Sequence, residues 1–102
     1  MLTSSVPPTG IVCASDTQAA GVLEAAGHLG LSVPGDLSVT GYDDLDLADH
    51  LGLTTIHQPL FESGVRAVQR LLRVLDGGPP EPAREVQEIR LVVRRSTAPP
   101  SV

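Results

Sequence analysis

The chain has 102 residues, 41% of them hydrophobic and 19% charged, a composition that excludes disorder and supports one small globular unit burying about 60–65% of its unfolded surface. Its net charge of −5, from seven basic and twelve acidic residues, excludes the positive footprint of a nucleic-acid-binding domain. It contains no Lys, which excludes P-loop, Schiff-base and kinase-type lysine chemistry, and no Asn, which excludes N-glycosylation.

Residues 1–9 carry Pro7-Pro8 and read as a loose lead-in. The apolar run Gly10 to Ala14 suits a buried parallel strand. A helix is expected over 16–29, with Ala19, Val22, Leu23, Ala26 and Leu29 at helical spacing. Ser15 and Gln18 form a capping box at its start, and Gly30 provides a left-handed stop. After the turn VPGD, residues 37–42 are expected as a second strand. Strand, helix and strand over so short a stretch define a βαβ unit with a right-handed crossover and parallel strands. One or two helical turns should follow Asp43-Asp44, then a short strand at 54–57.

A longer helix is expected over 60–76. Phe61, Val65, Val68, Leu72 and Leu75 make an apolar stripe that reads as core, and Glu62 with Arg66 is a favourable i,i+4 pair. Gly77 to Pro80 should end it. Residues 86–94 read as a fourth strand, and the tail from Ser96 onward as frayed. The acids crowd the first part of the chain: residues 1–57 hold seven acids and no Arg, while 58–102 hold all seven Arg against five acids.

The lone Cys13 has no intrachain partner and reads as a small buried hydrophobe in a reducing compartment. No stretch has the length of a signal peptide core or a membrane span, so the expected location is the cytoplasm, with no membrane partner. His28, His50 and His57 lack metal-ligand spacing, so no metal and no cofactor is expected.

In open parallel sheets, ligands bind just beyond the carboxyl ends of the strands. Ser15-Asp16, Asp43-Asp44 and Gln58 fall at three such ends. Ser15 is also a helix cap, and Asp16 also sits in a first turn where a carboxylate suits the helix dipole. Asp43 ends a buried strand, where a carboxylate is costly unless something hydrogen-bonds it. Asp44 suits a cap for the short helix that follows. Gln58 can donate and accept, which fits a ligand hydroxyl, or it caps the long helix. The candidate ligand-binding residues are therefore Asp43, Gln58, Ser15 and Asp16. Adjacent Asp43 and Asp44 make a poor acid/base pair, and no nucleophile arrangement is present, so the chain is not expected to be an enzyme.

Four segments carry a family resemblance. TGIVCASD (9–16), GHLGLSVPGDLSVTGYDD (27–44), LTTIHQP (53–59) and LVVRRSTAPP (91–100) resemble, in order, four motifs of the lac and galactose repressor (LacI/GalR) family. The resemblance implies a partial type I periplasmic-binding-protein-like sensor, an α/β fold with a parallel sheet built from βαβ units and cut short. It implies that 10–57 belong to the C-terminal subdomain, that 58–102 cross toward the N-terminal one, and that the family's DNA-binding helix-turn-helix is absent. It implies a small effector, sugar-like or nucleobase-like, contacted by Ser15, Asp43 and Gln58. The partners it implies are a carbohydrate-type effector, a second copy in a homodimer, and DNA only through the missing N-terminal domain. Ser15 stands where the family usually has Asn, and the stretch between Asp44 and Leu53 is shorter than usual. Alternative readings are a fragment of a transport sugar-binding protein, or a dimerisation module without ligand.

Overall fold

The computed structural model describes residues 1–79 and 84–100. The chain divides into two compact units, Met1–His57 with Arg90–Val102, and Gln58–Ile89. The last segment, Arg90–Val102, groups with the first unit.

In the first unit, β1 (Gly10–Val12) leads to α1 (Asp16–His28), then β2 (Ser38–Thr40), α2 (Asp46–Leu51) and β3 (Thr55–His57); β4 (Arg90–Val92) completes it. β1 and β2 pair in parallel with Ile11 opposite Val39, as the βαβ reading requires. Bridges Thr40–Thr54 and Asp43–His57 set the path into and along β3 parallel to the exit of β2. β4 pairs with β3 antiparallel, Leu91 opposite Ile56.

The caps explain where α1 begins and ends. Ser15 Oγ accepts the Gln18 N–H at 3.1 Å, and Gln18 Oε1 accepts the Ala14 N–H at 3.0 Å. At the other end Gly30 is left-handed (φ 72°), the Leu31 N–H returns to the Ala26 carbonyl and the Gly30 N–H to the Gly27 carbonyl. That double closure is a Schellman motif. Gly52 (φ 63°) closes α2 the same way, with the Leu53 N–H on the Ala48 carbonyl.

The core is small: Cys13, Ala19, Ala26, Leu37, Val39, Ala48 and Leu53, with Leu2, Ile11, Val22, Leu23, Leu31, Val33 and Leu51 packed against it. Leu2 and the Thr9 carbonyl, which accepts the Ser38 N–H, tie the expected loose lead-in to this unit. β1 is not the fully buried strand expected from its composition. Val12 is 86% exposed, because helices cover only the face that carries Ile11 and Cys13.

The start of the tail, Ser96–Ala98, is not frayed. Ser96 is buried and every polar group it has is used. Its N–H donates to the Gly52 carbonyl, its carbonyl accepts the Val39 N–H, and its hydroxyl donates to the Val39 carbonyl while accepting the Thr54 N–H. Ala98 and Ser38 exchange two further bonds. A chain terminus is expected to fray, but these bonds insert the segment beside β2.

The second unit contains α3 (Leu60–Leu75), which stops at Asp76 and the left-handed Gly77. The stripe expected as core is uncovered: no residue of α3 is buried, and Phe61 is 80% exposed. Periodicity identified the amphipathic helix, but the described part of this unit offers no second layer to cover it. Arg66 reaches Glu85, at 2.8 and 3.1 Å, within this unit. The residues 84–89 before β4 carry no regular structure, so the expected strand over 86–94 shrinks to three residues.

Candidate functional site

The carboxyl ends of β1 and β2 carry the polar residues picked out from sequence. The Asp16 N–H donates to the Tyr42 carbonyl at 3.0 Å. Ser15 immediately precedes one partner of that bond and Asp43 immediately follows the other. Both are half-buried, at one edge of the first unit. The Asp43 N–H donates to the Ile56 carbonyl at 2.9 Å, which joins the edge to β3.

The backbone here is unusual. Asp43 (φ 118°) and Asp44 (φ 62°) are consecutive non-glycine residues at positive φ. Such conformations cost free energy and concentrate where geometry serves function. The turn swings the chain out of β2 and into α2 within a few residues.

Asp16, one of the four sequence candidates, is not a surface group. It is fully buried. Its Oδ1 accepts the Thr55 hydroxyl at 2.6 Å and its Oδ2 accepts the Leu45 N–H at 2.8 Å. A carboxylate can be buried when hydrogen bonds replace its hydration, and this one is spent inside the wall. Gly41 makes the room: a Cβ there would strike Asp16 Oδ1 and come within 2.8 Å of Leu53 Cδ2.

Asp44 does not cap α2, whose N-cap is Leu45 with no side-chain bond. Its carboxylate instead lies between His57 Nδ1 and the Arg94 guanidinium, each at 2.9 Å. Arg94 also donates to the Leu53 carbonyl at 3.0 Å. Burial works to raise the Asp44 pKa, but hydrogen bonds from Arg94 and His57, with their charges, outweigh it and hold the carboxyl below its usual range. Thr55 and Arg94 were missed from sequence as parts of this edge; their only signal was their place inside the LTTIHQP and LVVRRSTAPP segments.

Gln58 is the first residue of the second unit and follows β3 directly. It is half-buried, its carbonyl accepts the Leu60 N–H at 2.9 Å, and the next residue, Pro59, is the N-cap of α3. Cys13 is buried, and burial pushes its thiol up, away from the reactive thiolate. Among the described residues there is no cluster of three metal-ligating side chains, and no helix is long and apolar enough to cross a membrane.

A parallel βαβ unit with α1 capped at both ends and polar residues gathered at its strand exits defines an α/β domain, a fold class whose ligands bind beyond the carboxyl ends of the strands. A model of the periplasmic binding protein-like domain family matches residues 1–97. The chain belongs to that family, in the form found in LacI-type regulators. The ribose operon repressor of Haemophilus influenzae is 48% identical over 75 residues, covering 72% of this chain and 23% of the repressor. The crystal structure of a LacI transcriptional regulator from a Rhodococcus species superposes with a TM-score of 0.84 at 37% identity, over 96% of this chain and 37% of that one. A periplasmic binding protein/LacI transcriptional regulator from Alkaliphilus metalliredigens, complexed with D-xylulofuranose, gives 0.81 at 26% identity, over 89% of this chain and 35% of that one. These relatives are transcriptional regulators, not enzymes, and the chain spans about a quarter of the length of the repressor it matches.

Proposed function

We propose that this chain is the effector-sensing part of a LacI-type transcriptional repressor and that its effector is a small polyhydroxylated molecule of the sugar class. Asp43 is its principal acceptor and Ser15 a second contact. The observation that carries this reading is the left-handed Asp43, half-buried beside Ser15 at the strand exits. A carboxylate there can accept two ligand hydroxyls in a poorly solvated setting, with charge-assisted bonds worth about 1.5–3 kcal/mol each. A nucleobase-like effector, offering N–H donors, is the neighbouring possibility within the same acceptor chemistry. Asp16 is left out because both its oxygens are engaged inside the fold.

The ribose repressor and the xylulofuranose complex among the relatives support a sugar over other small polar molecules. Their regulator names favour a cytoplasmic repressor over a transport protein. In this reading the sensor works as a homodimer and reaches DNA through a separate N-terminal helix-turn-helix, not through this acidic chain.

A single wall buries little of a ligand, so its own affinity should be on the order of millimolar. The test is therefore an amide NMR titration of the chain with ribose, xylose, glucose and cytidine. Shifts confined to Ser15, Asp43 and their neighbours for one of these, and absent in Asp43→Asn, support the reading. No localised shift with any of them, or the same shifts in Asp43→Asn, overturns it.

A further inference from the structure

We infer that Asp16 is a positioning residue: it fixes where Asp43 stands, from inside the wall and without touching a ligand. The inference rests on the reading of Asp43 as ligand acceptor.

Asp43 and Asp44 form a two-residue excursion at positive φ, and Asp16 grips both of its flanks. Its main-chain N–H holds the Tyr42 carbonyl on the entering side at 3.0 Å. Its side-chain Oδ2 holds the Leu45 N–H on the leaving side at 2.8 Å. Conformations of this kind persist only where the surroundings over-determine them, and here one residue supplies two of the restraints.

The carboxylate is itself locked. Thr55, fully buried, donates its hydroxyl to Oδ1 at 2.6 Å, so the group cannot rotate away from Leu45 without losing that bond. Bare Gly41 lets the carboxylate sit this close to the strand. Because Ser15 is the residue before Asp16, the same anchor also sets the spacing between Ser15 and Asp43. The result is preorganisation: an acceptor pair held at fixed separation before any ligand arrives.

The grip predicts what substitutions do. Asp16→Ala removes the Leu45 and Thr55 bonds while keeping the main-chain bond to Tyr42. Asp16→Asn can keep both side-chain bonds, its oxygen accepting from Leu45 and its amide donating to the Thr55 oxygen. Thr55→Val removes only the lock.

The test is hydrogen exchange and three-bond HN–Hα couplings measured by NMR on the chain without ligand. In the unaltered chain the Leu45 N–H should be protected and Asp43 should show the small coupling of its positive φ. In Asp16→Ala the Leu45 N–H should exchange at least about tenfold faster, the equivalent of one lost hydrogen bond. The Asp43 coupling should rise toward an averaged value, while the Val39 N–H stays protected. Asp16→Asn, which keeps both side-chain bonds, should restore both readings, and Asp16→Leu, which keeps the branched shape without the bonds, should not. Should Asp16→Ala lose Val39 protection and unfold, Thr55→Val takes its place, with faster Leu45 exchange expected over an intact Val39. An unprotected Leu45 N–H in the unaltered chain overturns the inference. So does an unchanged Asp43 coupling in a folded Asp16→Ala, or unchanged Leu45 exchange in Thr55→Val. No sugar enters these measurements, so their failure leaves the ligand reading standing, and a failed sugar titration leaves the grip standing.

Discussion

Ser96 and Val39 clasp each other through two hydrogen bonds: the Ser96 hydroxyl donates to the Val39 carbonyl at 2.6 Å, and the Ser96 carbonyl accepts the Val39 N–H at 3.0 Å. The two residues are 57 positions apart in sequence. Val39 is the central residue of β2 and fully buried, so this clasp closes the side of the strand that faces away from β1. The same hydroxyl accepts the Thr54 N–H at 2.8 Å, which makes Ser96 a rivet between β2 and the entry to β3.

Ser96→Ala is therefore expected to destabilise the first unit well beyond the loss of a small polar side chain. It leaves the Thr54 N–H without its acceptor and takes the hydroxyl from the Val39 carbonyl. A buried donor or acceptor left unmade costs about 1–3 kcal/mol. A loss of about 3 kcal/mol in urea unfolding is expected for Ser96→Ala, and a loss under 0.5 kcal/mol would show that water replaces the hydroxyl. Ala98→Ser, on the exposed end of the same segment, serves as the control and should be near neutral.

Gly41→Ala is expected to damage the same unit by overpacking. The new methyl would collide with Asp16 Oδ1 and stand 2.8 Å from Leu53 Cδ2. Neither neighbour can retreat, since the carboxylate is held by Thr55 and Leu45 and Leu53 is fully buried. Overpacking of this kind costs about 1–3 kcal/mol. Gly21→Ala, which meets nothing within 4 Å inside α1, should instead stabilise by up to about 1 kcal/mol through helix propensity. Thermal unfolding of the two variants should shift in opposite directions.

Acid should weaken the first unit through Asp44. Arg94 and His57 outweigh the burial of its carboxyl and hold its folded pKa below the ordinary carboxylate value. The unfolded chain therefore takes up the proton first as pH falls, and stability drops with falling pH in that window. The contribution is fully present above the ordinary carboxylate pKa and is lost as pH falls through the depressed folded value. Asp44→Asn keeps the size and removes the charge. It should cost about 2 kcal/mol at neutral pH, as hydrogen bonds to charged groups do, and flatten the acid limb of a stability–pH curve. An acid limb of unchanged slope in Asp44→Asn would assign the acid sensitivity to other carboxylates.

Much of the fold was legible because its signals are local. Ser15, Gln18 and Gly30 bound α1 within a single stretch of chain, and the apolar runs on either side fix a βαβ unit. What sequence did not disclose depends on partners far along the chain. Asp16 resembles a helix-dipole or ligand carboxylate until Thr55, 39 residues on, and Leu45, 29 residues on, are brought to it. Asp44 resembles a cap until Arg94, 50 residues on, takes the carboxylate. The α3 stripe shows the limit of periodicity: spacing defines an apolar face but carries no information about what lies against it. Strand-end logic placed Ser15 and Asp43 at one edge, while the positive φ of Asp43 follows from tertiary restraints that no dipeptide propensity encodes.

The last prediction separates strain from ligand chemistry at Asp43. Its φ of 118° is unfavourable for any residue with a Cβ and easy for Gly. Asp43→Gly should therefore relieve strain and leave the first unit as stable as before, or more stable by up to about 1 kcal/mol, provided the carboxylate makes no structural contribution of similar size. Asp43→Asn keeps the shape and the ability to adopt positive φ but gives up the charge. If Asp43 serves a ligand, both variants should lose the sugar-dependent amide shifts, because a charge-assisted acceptor worth about 1.5–3 kcal/mol corresponds to a roughly 10- to 150-fold loss in affinity. The decisive pattern is a stability that does not fall in Asp43→Gly together with a binding response that vanishes. A stability drop of about 2 kcal/mol in Asp43→Gly with binding retained would instead make the carboxylate a structural acceptor, and the strained backbone at the exit of β2 would then be a consequence of the turn into α2 rather than a device for holding a ligand.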